Sequence, residues 1–263
     1  MLGVSVKPSA LEETVRLLDM FPGVGHVQVK LPAQRDPRAK LEQGVEHIRR
    51  AHPCTELSFH AYGQMNPAEA VQAIREKWLE LSKDAVKQAA DMGGTFVVFH
   101  GGSMQGKSPV RLRQNALNAL CDFAEELAAF ADDLGVDIHL ENIYPAPFRS
   151  ELVRLLDRVE DYRYVMSVLT HKRIRYCFDF GHAMIDDRGM PILYECMERL
   201  GSVHVHENDR QNDLHLPIAG LFDWQRHIEA IIKSGFCGPF ILETAFEMLP
   251  QAISGFYELS GAV

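Results

Sequence analysis

The stretch TFVVFHGGSMQGKSPVRLRQNALNALCDFAEELAAFADDLGVDIHLE, residues 95–141, begins and ends on short runs rich in apolar and β-branched residues, TFVVFH (95–100) and VDIHLE (136–141). Between them apolar residues recur at three- and four-residue spacing and Gly135 closes the run, the pattern of an amphipathic helix and its stop. Strand, helix and strand in this order call for a parallel sheet.

The same alternation continues in both directions. Upstream lie GVSV (3–6), HVQVKL (26–31) and ELSFH (56–60); downstream lie IRYCFD (174–179), SVHVHE (202–207) and PFILE (239–243). Eight strands alternating with helical stretches favour closure into an α/β (β/α)8 barrel over a doubly wound open sheet. No linker, low-complexity tract or internal repeat divides the 263 residues, so a single domain over 1–263 is expected.

Within the opening stretch, Gly101 to Ser108 fits Gly-x-x-x-x-Gly-Lys-Ser, the pattern of a phosphate-cradling loop, with Lys107 and Ser108 in its diagnostic places. It follows the fourth strand rather than opening the fold, and it comes directly after His100, a potential metal ligand. Its glycines therefore read as a rim turn, with Lys107 left as a residue to meet a substrate phosphate.

Composition narrows the partners. Lys and Arg number 27 against 36 Asp and Glu, a formal net charge of -9, which opposes sequence-independent binding to nucleic acid. The five cysteines, Cys54, Cys121, Cys177, Cys196 and Cys237, are odd in number, widely spaced and without a CxxC pair, which fits a reducing compartment. The N-terminal MLGVSVKPSALEE has no leader pattern and no run approaches 18 apolar residues. A soluble cytoplasmic protein acting on a small molecule is the expectation, with no membrane or nucleic-acid partner.

In such a barrel the strand ends form the rim of the active site. Here those ends carry His60, His100, Glu141, Asp179, His204 with His206, and Glu243, all metal-ligand types. A lone histidine or glutamate at a strand end is ordinarily a satisfied or solvated polar group. Six converging on one mouth point instead to a divalent metal site for Zn, Mn, Fe or Co. Period-two alternation sets His139 on the face of Glu141, Cys177 with Asp179, and His204 with His206. His139 is then either a partner orienting a ligand or a buried polar group held by hydrogen bonds. Two rim loops add His182, in DFGHAMIDD (179–187), and the pair Asp213 and His215, in DLHLPIAG (213–220).

Taken together, HLEN (139–142), CFDFGH (177–182), SVHVHEND (202–209) and ILET (241–244) resemble the xylose isomerase-like TIM-barrel superfamily. That superfamily includes sugar and sugar-phosphate isomerases and epimerases as well as endonuclease IV. The resemblance spans nearly the whole chain and implies a metal tetrad of Glu141, Asp179, a histidine and Glu243. Its epimerase branch is matched by His204-x-x-Glu207-x-x-Arg210, which favours His204 over His206 as ligand and implies that Arg210 and His182 contact substrate. Glu141 and Glu243 would then move a proton on a hydroxycarbonyl sugar or sugar phosphate. The endonuclease branch implies a three-ion hydrolase. In that arrangement Glu141 bridges two ions, His60 and His100 complete one site, Asp179, His204 and Glu243 a second, and His182, Asp213 and His215 a third. The isomerase or epimerase is the preferred reading and a phosphodiester hydrolase the alternative, with one ion in the tetrad and up to three in total. Barrels of this family often pair, so the resemblance also admits a homo-oligomer.

Overall fold

The computed structural model describes residues 1–32, 38–106, 109–147, 150–185, 189–220 and 222–260. Its strands are β1 (Leu2–Val6), β2 (Val24–Lys30), β3 (Glu56–His60), β4 (Phe96–His100), β5 (Ser103–Gln105), β6 (Asp137–Glu141), β7 (Leu152–Arg154), β8 (Ile174–Asp179), β9 (Leu200–Val205) and β10 (Phe240–Leu242). The main helices are α1 (Leu11–Met20), α2 (Arg38–Ala51), α3 (Gln72–Asp91), α4 (Pro109–Leu134), α5 (Val159–Val168), α6 (Phe180–Ile185), α7 (Met190–Cys196), α8 (Trp224–Lys233) and α9 (Leu249–Ser260). Eight strands close in the order β1-β10-β9-β8-β6-β4-β3-β2, every neighbouring pair parallel. This is a TIM barrel, as the alternation implied.

The longer helices lay an apolar stripe on the outside of the barrel. In α8 the stripe is Trp224, Ile228 and Ile231, and in α2 it is Leu41, Val45 and Ile48, one residue per turn on one face. They meet outward-facing strand residues such as Val27, Val29, Phe59, Val97 and Phe178, and this layer between helices and barrel is the main core. Gly93, Gly135 and Gly235, with φ of 73°, 72° and 84°, stop α3, α4 and α8 in the left-handed conformation that favours glycine.

The interior of the barrel is different. Phe96, Val98, Cys177 and Ile241 form a small apolar cluster there. Below the mouth it is joined by hydrogen-bonded polar pairs. His26 Nε2 lies 2.7 Å from Ser58 Oγ, and His139 Nδ1 lies 2.9 Å from Ser202 Oγ while its ring stacks on Phe96 at 4.0 Å. His139 is thus a buried polar group satisfied by a hydroxyl.

Two expectations need correction. Residues 103–105 are not part of a simple turn: β5 pairs antiparallel with β7, making a two-stranded sheet beside the mouth. Three-residue strands are too short to leave a periodic signal. The contacts here also count against the phosphate-loop reading, because two amides of the stretch are spent. Ser103 N donates to Asn66 Oδ1 at 2.9 Å and Gly106 N to Glu151 O at 3.0 Å. Lys107 and Ser108 lie outside the described residues. The second correction concerns residues 180–185, expected as rim loop, which form the short helix α6 directly off β8. Among the described residues, no helix is long and apolar enough to cross a membrane.

Candidate metal centre

Parallel pairing sets the ligand heights. His100 pairs with Glu141, and Asp179 with His204. Glu243 follows the last residue of β10, so four strand ends deliver Glu141, Asp179, His204 and Glu243 to one point. Their ligand atoms all lie within 4.8 Å of one another, and each residue is buried. His204 Nδ1 stands 3.1 Å from Glu141 Oε1, 3.0 Å from Glu243 Oε2 and 3.6 Å from Asp179 Oδ2.

His206 lies one residue beyond the end of β9 and serves a neighbouring group. Its Nε2 is 3.2 Å from Asp179 Oδ1 and its ring stacks on His215 at 4.1 Å. Gly181 makes room for it, since a Cβ there would come within 1.9 Å of the His206 ring.

Ligand types continue along both sides of the tetrad. On one side His60 Nε2 and His100 Nε2 lie 3.0 and 3.2 Å from Glu141 Oε2. On the other, His182 Nε2 and His215 Nε2 lie 3.4 and 3.3 Å from Asp213 Oδ2. The Asp-x-His pair does converge, although His215 achieves this with φ of 50° rather than in an extended segment.

The donor set fits divalent metal. In His60, His182 and His215 the Nδ1 faces a main-chain carbonyl, of Ala61 at 2.7 Å, Asn142 at 2.8 Å and Glu243 at 2.8 Å respectively. Donation there turns the Nε2 lone pair toward carboxylate oxygen, an arrangement a shared cation stabilises. Glu243 Oε2 and Asp213 Oδ1 are buried without a hydrogen-bond partner, which also suits a cation.

The electrostatics agree. Burial works against ionisation of Glu141, yet the neighbouring imidazoles of His204 and His100 hold its carboxyl well below the usual range. Burial would likewise depress His182, but Asp179, Asp213 and Glu141 push it up to about 10. Protons and metal compete for the same lone pairs.

Lys30 and Asn142 had not been singled out from sequence, and Glu207 only as a place in a motif. Lys30 Nζ reaches Glu243 Oε1 at 2.5 Å. Asn142 locks two strand ends together: its Nδ2 donates to Asp179 O at 2.9 Å and its Oδ1 accepts from Asp179 N at 2.7 Å. Its signal was its place directly after Glu141. Glu207 is buried and anchors the following loop, accepting from Trp224 Nε1 at 2.6 Å and Ala219 N at 2.9 Å. Above the tetrad opens a cavity of about 660 Å³, lined by Lys30, His60, His100, Tyr144, Arg154 and Asp213 among others. His182 and His215 line it too, whereas Arg210 is exposed on the loop after β9 with φ of 64° and lies outside that lining.

A family model described as xylose isomerase-like TIM barrel matches residues 21–254. An uncharacterized protein of Methanocaldococcus jannaschii is 28% identical over 203 residues, 72% of this chain, and the match spans 64% of that relative's length. Among solved structures, a D-tagatose 3-epimerase-like protein superposes with a TM-score of 0.82 at 21% identity, covering 99% of this chain and 97% of its own. A 3-keto-D-glucoside 4-epimerase from E. coli gives 0.74 at 16% identity, covering 99% of both chains. A Thermus thermophilus protein whose crystals were soaked with zinc chloride gives 0.78 at 22% identity, covering 100% of this chain and 99% of its own. At these identities the structural likenesses speak to the fold. The family match covers most of the sequence, and the chain belongs to the xylose isomerase-like TIM barrel family.

Proposed function

We propose that the protein is a divalent-metal-dependent isomerase or epimerase acting on a hydroxycarbonyl compound of the sugar or sugar-phosphate class. The observation that carries this reading is the placement of two carboxylates, Glu141 and Glu243, each about 3 Å from the same imidazole nitrogen of His204 at the floor of the cavity. Glu141, Asp179, His204 and Glu243 would hold a divalent ion, Mn, Zn, Co or Fe, which would supply Lewis-acid polarisation of a carbonyl and so acidify the neighbouring C–H. Glu141 and Glu243 then divide the proton transfer: one takes the proton from carbon and the other returns it. Lys30, bound to Oε1 of Glu243, orients that carboxylate and leaves Oε2 facing the centre. His182 lines the cavity beside Glu141, which supports a contact between it and substrate oxygen. The sugar epimerases among the structural neighbours support the same class of chemistry.

The test is proton exchange. Turnover in D₂O should place deuterium on the hydroxyl-bearing carbon next to the carbonyl, and Glu141→Gln and Glu243→Gln should keep at least part of the metal but lose turnover. Absence of both conversion and exchange across a panel of ketoses and ketose phosphates would remove this reading.

A second reading, multi-metal phosphodiester hydrolysis, is favoured by the extra groups His60/His100/Glu141 and His206/Asp213/His215 beside the tetrad. Cleavage of a phosphodiester by protein carrying two or three ions, without C–H exchange, would select it.

A further inference from the structure

The mouth of the cavity holds a cation for which the floor has no use. Arg154, at the end of β7, lines the cavity half-buried, and among the described residues no carboxylate lies within ion-pair distance of it. Its guanidinium instead sits over the ring of Tyr144 at 4.1 Å, and Nη1 reaches Tyr144 O at 3.3 Å. Those contacts hold the plane of the group while leaving Nε and Nη2 without protein acceptors in the described residues. A planar fork of unused donors suits bidentate binding of an oxyanion.

The wall behind it is fixed. β7 pairs with β5, which Asn66 holds from the other side, and the chain past Arg154 is pinned by Asp161, whose Oδ2 accepts from Leu156 N at 2.9 Å and pairs with Arg113 Nη1. Asp161 is itself buried, so Arg154 stands on a rigid support rather than on a free loop. The Tyr144 ring that carries the guanidinium also contacts His182, with centroids 5.4 Å apart, so a single aromatic ring separates Arg154 from the metal-ligand cluster. By contrast, Lys30, the other Lys or Arg side chain that lines the cavity among the described residues, is spent on Glu243.

We infer that Arg154 is the recognition site for a terminal oxyanion on the substrate, phosphate or carboxylate, so that the centre takes an anionic sugar derivative in preference to a neutral sugar. This rests on the isomerase or epimerase reading for the identity of the reacting end.

Polyols test this without chemistry, because they lack the carbonyl that isomerisation needs. Calorimetric titration of metal-loaded protein with erythritol, erythritol 4-phosphate and erythronate should show an anionic ligand binding about 10- to 100-fold tighter than erythritol. In Arg154→Gln that difference should collapse, with Arg154→Lys intermediate because it keeps charge but not the fork. Melting temperature and metal content of both variants establish that the barrel is intact. A preference for erythronate alone assigns a sugar acid, and one for the phosphate a sugar phosphate. Equal binding of neutral and anionic polyols by the wild type, or a preference that survives in Arg154→Gln, overturns the inference. Loss of the D₂O exchange result with the anion preference intact would remove the proposed reaction and leave the anion site standing.

Discussion

Lys30 Nζ lies 2.5 Å from Glu243 Oε1, while Glu243 Oε2 lies 3.0 Å from His204 Nδ1. The carboxylate is therefore divided between an ammonium on one side and the centre on the other. Burial opposes charge on Glu243, but Lys30 and His204 hold its pKa well below the ordinary value. Lys30→Met should leave the tetrad able to bind metal yet free the carboxylate to rotate. Charge-assisted hydrogen bonds of this kind are worth about 1.5–3 kcal/mol, so turnover at full metal occupancy should fall by about 10- to 100-fold. Unchanged kcat would show that Glu243 needs no such restraint.

Asp179 is tied to three histidines. Oδ1 accepts from His182 N at 2.7 Å and faces His206, while Oδ2 faces His204. Asp179→Ala should abolish activity, lower metal content and destabilise the protein by about 3–5 kcal/mol, as removal of one partner from a buried charge network does. Elemental analysis and chemical denaturation of the variant check each part, and full metal occupancy would contradict the assignment.

Zinc titration should fill the tetrad first, since three carboxylates and an imidazole gather there, and weaker sites after it. His100→Ala should remove a weaker site and His215→Ala another, each without loss of the first ion. If stoichiometry stays fixed in both variants while KM rises, these histidines shape the substrate pocket instead.

Two histidines inside the barrel, below the mouth, set an acid limit on stability. His26 is pushed down to about 3 by burial, with the N-terminal amine and His204 adding to the effect, and burial also holds His139 well below 6.5. Unfolding releases both to titrate near 6.5, so the unfolded chain binds more protons below that pH and stability falls as pH drops from about 6.5 toward 3. His26 contributes about 1.4 kcal/mol per pH unit in that window. Denaturation midpoints at pH 7.5 and 5.5 should differ less in His26→Gln and His139→Gln than in the parent protein. An unaltered difference would mean that other groups set the acid limit.

The segment HVQVK carries both what the sequence determines and what it leaves open. Its alternation places His26, Gln28 and Lys30 on one face and Val27 and Val29 on the other, which is enough to make it a strand, and eight such segments between amphipathic helices are enough to make a barrel. The same local signal placed His60, Glu141, Asp179 and Glu243 at strand ends. Alternation does not say which face is inside. In an ordinary half-exposed sheet the polar face would be solvated; here helices cover the apolar face of β2, and Lys30 turns into the mouth toward Glu243. Nor could period-two spacing choose between His204 and His206, which share a face. Strand register puts His204 opposite Asp179, and the end of β9 at Val205 releases His206 toward His215. Arg154 and Asn142 acquire their meaning only from contacts, one from the pairing of β7 with β5 and the other from the two-way bond to Asp179. Propensity and periodicity act over a few residues and can be read along the chain, whereas register, closure and the inward turn of a polar face are set by pairings between segments far apart in sequence.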